Sequence, residues 1–228
     1  MQKRYIPFAV FFVILLVLLA SFGSRTVRSE ATFAFAESEK QMYLTFDDGP
    51  STVVTEKILD VLKEEDVKAT FFIVSDRAKT RRSTLKRIAD EGHTVGVHSA
   101  THDYSKIYAS DDALLRDVST CANFIYEVTG KKPTCYRFPG GGIKNIKHKT
   151  ALLENAGYTV VSWNAVCGDE EIPHADADTL YNRAVQTAAG KNKVVLLCHD
   201  SASHKATAEA LKDMIRYFRK EGYVFRAF

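Results

Sequence analysis

The chain has 228 residues, 46% of them apolar and 26% charged, an ordinary globular composition of a length that suits one α/β domain. Its formal charge is +3, but Lys3, Arg4, Arg25 and Arg28 oppose only Glu30 in the first thirty residues, leaving 27 basic against 27 acidic residues beyond them. A balanced body has no electrostatic footprint for nucleic acid, so that class of partner is excluded from the reading.

Lys3 and Arg4 open the chain ahead of an uncharged run from Tyr5 to Ser24. Its most apolar part, Phe8 to Ala20, has the length of a signal-peptide h-region. The full run is also just long enough to span a bilayer of ~30 Å, so residues 5–24 could remain as a membrane tether. Ser21 and Gly23, or the Ala34-Phe35-Ala36 triplet, offer small residues to a peptidase. Residues 1–36 are therefore expected to be a signal peptide or N-terminal anchor. Residues 37–228 would be the exported body, extracellular or at the cell surface.

Beyond a polar linker near Glu37–Lys40, strand and helix signals alternate. QMYLTF (41–46) reads as a strand, and Ser51 can cap a helix whose Val54, Ile58, Val61 and Leu62 share a face. KATFFIV (68–74) is the next strand, followed by a helix through Leu85 and Ile88 that stops at Gly92. TVGV (94–97) is a short strand. An amphipathic helix then carries Leu114, Leu115, Val118, Cys121, Ala122 and Ile125 to a stop at Gly130. TCYRF (134–138) is a strand, and a helix near 147–156 ends at Gly157. YTVVSWNAV (158–166) and KVVLLCH (193–199) are strands with a helix around 178–189 between them. A last helix uses Leu211, Met214, Ile215 and Phe218 before YVFRAF closes the chain.

Such alternation implies parallel strands joined by right-handed crossovers, and about seven βα units fit an irregular (β/α)7 TIM-like barrel better than an eight-unit one. The cysteines, Cys121, Cys135, Cys167 and Cys198, form no CxxC pair, which argues against a zinc knuckle. Cys121 and Cys198 read as buried small hydrophobes, and export would permit a Cys135–Cys167 bridge.

The unusual polar residues fall where predicted strands end. Asp47 and Asp48 follow QMYLTF, His98 follows TVGV, Arg137 ends TCY, Asp169 lies just past YTVVSWNAV, and His199 ends VVLLC. In a parallel barrel those ends gather on one rim, where such folds build active sites. Alone, Asp47-Asp48-Gly49-Pro50 is good turn chemistry. With His98 and His102, whose spacing lets two imidazoles converge along a helical turn or around a tight loop, Asp48 can complete a two-histidine, one-carboxylate metal set with open positions. His93, His148, His174 and His204 read instead as surface or helix-end residues. Tyr104 and Tyr108 fit a sugar groove and an ordinary loop equally well.

TFDDGP (45–50), HSATH (98–102), RFPGG (137–141) and LCH (197–199) occur in an order and at separations that closely resemble the motifs of the polysaccharide deacetylase family, carbohydrate esterase family four. The resemblance covers roughly residues 40–228. It implies that Asp48, His98 and His102 hold a divalent metal, Zn²⁺ or else Co²⁺. It implies Asp47 as general base with Arg137 orienting it, His199 as general acid, and Asp169 sustaining the charge of that histidine. Leu197 would shape the acetyl pocket, Trp163 and Gly140 would border the sugar, and a backbone N–H of the Arg137–Gly141 turn would face the oxyanion. The chain departs from the family at Glu170, where an aromatic residue is frequent, and at Gly140, where a bulky one is common.

The implied activity is metal-dependent removal of N-acetyl groups from an acetylated amino-sugar polysaccharide, with peptidoglycan N-acetylglucosamine the foremost substrate and a monomer the expected state. An O-acetyl (xylan) esterase, a non-catalytic glycan-binding relative and a small-amide hydrolase are the alternatives.

Overall fold

QMYLTF becomes β1 (Lys40–Asp47), and the rest of the sheet is organised around it. The computed structural model describes residues 39–140 and 143–228, so the leader, including residues 5–24, lies outside the described residues, as does Gly141. The other strands are β2 (Thr70–Val74), β3 (Thr94–Ser99), β4 (Cys135–Tyr136), β5 (Thr159–Val160), β6 (Ala165–Val166), β7 (Lys193–His199) and β8 (Tyr223–Arg226). They run in the order β5-β4-β3-β2-β1-β7-β6, all parallel, with β8 pairing the first half of β1 and β2 the second. The result is the expected α/β barrel of (β/α)7 type: a curled parallel sheet with helices outside it.

The helices are α1 (Val54–Glu64), α2 (Ser75–Ala78), α3 (Arg82–Asp90), α4 (Tyr104–Ile107), α5 (Asp111–Thr129), α6 (Ile146–Asn155), α7 (Ala177–Ala188) and α8 (Lys205–Lys220). Ser51 does cap α1: its Oγ accepts the N–H groups of Val54 at 3.0 Å and Thr55 at 3.2 Å. α5 buries Leu114, Val118, Cys121, Ala122 and Ile125 and ends where Gly130 takes φ 70°, a left-handed cap suited to glycine. The one-turn helices α2 and α4 were not legible in the pattern, because four residues carry no periodicity.

Two strand expectations change. TCYRF shrinks to Cys135–Tyr136, since β4 needs only enough ladder to dock on β3 at Val97. YTVVSWNAV is two strands at opposite ends of the sheet order, β5 beside β4 and β6 beside β7. Between them the chain crosses the barrel, with the Val161 N–H donating to Tyr136 O at 2.8 Å and the Asn164 N–H to Val195 O at 3.2 Å. That gap is closed by the covalent chain rather than by a ladder. A backbone crossing of this kind leaves carbonyls to satisfy, and Arg137 reaches two of them, Val161 O at 3.3 Å and Ser162 O at 3.4 Å.

The core gathers Met42, Leu44 and Phe46 of β1, Phe71 and Ile73 of β2, and the inner faces of α1, α5 and α8. All four cysteines are buried and free, so the Cys135–Cys167 bridge is not made. Cys135 packs with Phe72 and Val161, whereas Cys167 belongs to the main core beside Cys198. His93 is also buried, against expectation, its Nδ1 accepting the Ala69 N–H at 3.2 Å. Among the described residues no helix is long and apolar enough to cross a membrane.

Candidate active site

The alternation of a strand places Thr45 and Asp47 on one face of β1 and Phe46 on the other. Phe46 stacks on Phe71 in the core, while Thr45 and Asp47 turn inward and meet the same group, Arg137 Nη1, at 2.7 and 2.9 Å. Arg137 is buried. A buried guanidinium must be neutralised, and Asp47 does so while the face of Phe72 lies 4.3 Å from its Cζ.

Register does the next step of assembly. β1 and β7 pair from Gln41 with Lys193 to Asp47 with His199, so the two strand-end residues are direct neighbours. Asp48 then leaves the strand in a left-handed conformation, φ 78°, which Asp tolerates better than most residues. Gly49 follows hard against Asp200: a Cβ there would lie 2.1 Å from a carboxylate oxygen of that residue. Asp200 is itself buried, accepts from Thr55 Oγ1 at 2.6 Å, and has one oxygen without a hydrogen-bond partner among the described residues. Burial pushes its carboxyl up to about 7, offset only in part by Thr55.

His98 ends β3. Its Nδ1 donates to Arg137 O at 2.9 Å, which leaves the Nε2 lone pair facing Asp48 Oδ1 at 3.8 Å and Asp47 Oδ2 at 4.0 Å. Burial holds this imidazole neutral, down to about 3, against the opposing pull of Asp48. His102 arrives by the tight loop rather than a helical turn: Ser99 Oγ accepts the N–H groups of Thr101 at 3.1 Å and His102 at 2.9 Å, and His102 takes φ 60°. Its Nε2 lies 3.0 Å from Asp48 Oδ1. One oxygen of Asp48 and one nitrogen each of His98 and His102 all lie within 4.8 Å of one another. Two imidazole nitrogens and a carboxylate suit a borderline divalent ion such as Zn²⁺.

On the facing side, Asp169 Oδ1 accepts from His199 Nδ1 at 2.8 Å, and its Oδ2 accepts the His199 N–H at 2.7 Å and Thr207 Oγ1 at 2.8 Å. Burial works against the charge of His199, but the hydrogen bond and charge of Asp169, joined by Asp47 and Asp48, outweigh it and raise the imidazole to about 9. Burial likewise opposes ionisation of Asp169, yet its bonds to His199 and Thr207 hold it below the ordinary carboxylate range. Asp47 is pulled both ways: Arg137 favours its charge, and burial opposes it. Burial is the larger effect and raises its carboxyl, with Arg137 only moderating the rise.

One cleft brings together Asp47, Asp48, His98, His102, Leu197 and His199, bordered by Trp163, Gly140 and Tyr104. Arg137 and Asp169 stand directly behind it. Sequence reasoning missed Arg77, whose Nη1 donates to Asp48 O at 2.8 Å and lies 3.1 Å from Asp48 Oδ1. It also gave no role to Thr45, Thr207 or the Asp200–Thr55 pair, whose contacts are with distant segments. His204 is buried at the start of α8, its ring stacked on His199 at 5.2 Å and its Nε2 2.9 Å from Glu170 Oε1.

A parallel barrel with carboxylates and imidazoles on its C-terminal rim defines a hydrolase-like site, and the sequence profile of the polysaccharide deacetylase family matches residues 36–161. The chain belongs to that family. A peptidoglycan-N-acetylglucosamine deacetylase of Bacillus cereus is 31% identical over 195 residues, 85% of this chain and 89% of that one. The peptidoglycan-N-acetylmuramic acid deacetylase PdaA of Bacillus subtilis is 30% identical over 190 residues, 83% of this chain and 70% of that one. Among solved structures, the catalytic domain of peptidoglycan N-acetylglucosamine deacetylase from Eubacterium rectale superimposes with a TM-score of 0.76 at 30% identity, over 84% of this chain and 90% of that one.

Proposed function

We propose that the protein is a metal-dependent hydrolase that removes N-acetyl groups from amino sugars of a polysaccharide, with peptidoglycan N-acetylglucosamine as its substrate. The observation that carries this reading is the pairing of Asp47 with His199 across β1 and β7, beside the Asp48, His98, His102 set. A divalent ion in that set would polarise the acetyl carbonyl and acidify water. Zn²⁺ suits the donors best, with Co²⁺ as a working substitute.

The remaining steps belong to side chains. Asp47, raised by burial, takes the proton of the attacking water, and Arg137 keeps its carboxylate aimed. His199 delivers a proton to the amide nitrogen as the C–N bond breaks, so acetate and a neutral amine leave. Asp169 keeps that imidazole charged and oriented. Leu197 would pack on the acetyl methyl, and Trp163 and Gly140 would border the sugar ring. A pure binding module would have no need of a buried base and a cationic acid lining one cleft.

The names of the relatives support peptidoglycan as the polymer. The leader composition supports export, with residues 1–36 as signal or anchor and residues 37–228 as a catalytic domain outside the cytoplasm; a monomer is the proposed state. The test of function is release of acetate and free amine from acetylated chito-oligosaccharide and from peptidoglycan. Release from xylan alone would instead assign the chain as an O-acetyl esterase.

A further inference from the structure

We infer that Tyr104 is a substrate-binding residue that supplies, from α4, the wall of the sugar cleft that Gly140 lacks. The inference rests on the proposed polysaccharide substrate. Position 140 is a glycine at φ 75° and brings no side chain to the cleft it borders. A Cβ built there would lie 3.0–3.1 Å from Cζ, Cε2 and the hydroxyl of Tyr104. The tyrosine ring therefore occupies the space into which a side chain at 140 would project. The wall that the loop after β4 does not supply at position 140 is supplied by Tyr104, after β3.

Tyr104 remains 49% exposed, although packing partners are close at hand. Its neighbour Tyr108 shows the contrast, being half-buried with its hydroxyl donating to Pro139 O at 2.8 Å. Packing accounts for Tyr108 and leaves Tyr104 facing the cleft. Its ring centroid lies 5.3 Å from that of His102, so a sugar laid on it would be within reach of the Asp48, His98, His102 set. Of the four exposed aromatic residues among those described, Tyr104 and Trp163 border this same cleft. A pyranose with equatorial substituents presents flat faces of C–H groups, which are attracted to the negative face of an aromatic ring. The phenol hydroxyl adds a donor for a sugar hydroxyl.

The test compares Tyr104→Ala, Tyr104→Phe and Tyr104→Trp with the native chain. Four quantities are measured: kcat and KM on chitopentaose, hydrolysis of 4-nitrophenyl acetate, Zn²⁺ affinity, and calorimetric binding of chitopentaose to each variant combined with Asp47→Asn. Tyr104→Ala should raise KM and the dissociation constant about threefold to tenfold. It should leave kcat, Zn²⁺ affinity and 4-nitrophenyl acetate hydrolysis near native, and Tyr104→Phe should restore most of the loss. Unchanged chitopentaose binding in Tyr104→Ala overturns the inference. So does a parallel loss of Zn²⁺ affinity, which would make Tyr104 a support for His102. Should the native chain release no acetate from any glycan, the proposed function fails, and the calorimetric arm still decides the role of Tyr104.

Discussion

Asp169 and His199 are joined twice, through Nδ1 of the imidazole at 2.8 Å and through the backbone N–H of the same residue at 2.7 Å. The first bond holds the charge, and the second holds the strand end from which the ring projects, with Thr207 fixing the carboxylate from α8. Nε2 is thereby left as the proton-bearing atom facing the cleft.

Under the proposed function this pair would set the alkaline limb of the reaction. A raised imidazole is protonated below its folded value and loses its proton as pH rises through about 9. kcat/KM should therefore hold through neutrality and fall as pH passes about 9. Asp169→Asn removes the charge that raises His199 and should move that limb to lower pH while metal content stays the same. An alkaline limb that does not move in Asp169→Asn would separate Asp169 from the titration.

His199→Ala deletes the proton donor without touching the Asp48, His98, His102 set. Turnover should drop on the order of 10²–10⁴, the range for one acid–base group, with bound metal unchanged. Single-turnover kinetics with metal analysis on the same sample would check both halves.

The two carboxylates of the turn should part company. Asp47→Asn is expected to keep metal and lose turnover, whereas Asp48→Asn, His98→Ala and His102→Ala should lose metal. Metal loss in Asp47→Asn would exchange the roles of Asp47 and Asp48. Arg137→Ala should be worse for the fold than any of these. It strands a buried Asp47 and frees the carbonyls of Val161 and Ser162, so unfolding free energy should fall about 3–5 kcal/mol in a urea titration.

Much of this was readable beforehand because the barrel converts strand ends into a rim. Polar residues at five predicted strand ends could be assigned to one place without knowing any distance, and register then made Asp47 and His199 neighbours. What stayed hidden depends on contacts between distant segments. YTVVSWNAV has the composition of one strand, and only tertiary pairing shows that its halves serve opposite edges of the sheet. Arg137 looked like a simple partner for Asp47, whereas it also stitches that crossing. Burial, invisible in sequence, outweighs the lowering effect of Arg137 on the Asp47 carboxyl. Arg77 and Asp200 reach the turn from outside the recognised motifs, so nothing local marked them.

Gly49 should tolerate no side chain. In Gly49→Ala the new methyl would meet all three atoms of the Asp200 carboxylate between 2.1 and 2.4 Å. Relieving that overlap would displace the Asp47–Asp48 turn, and overpacking of this kind costs about 1–3 kcal/mol. The melting temperature and metal content should both fall. Adding Asp200→Ala, which empties the space, should recover part of the loss in melting temperature; no recovery would show that the glycine is required for another reason.

The central claim is that the cleft between β1, β3 and β7 hydrolyses acetamides on a sugar polymer with the help of a metal held by Asp48, His98 and His102. Acetate release from purified peptidoglycan, before and after removal of metal with a chelator and again after adding Zn²⁺, tests it most directly. Release should stop in the chelated protein and return with Zn²⁺, with one free amine appearing for each acetate. Full acetate release by demonstrably metal-free protein, or acetate without amine, would contradict the account.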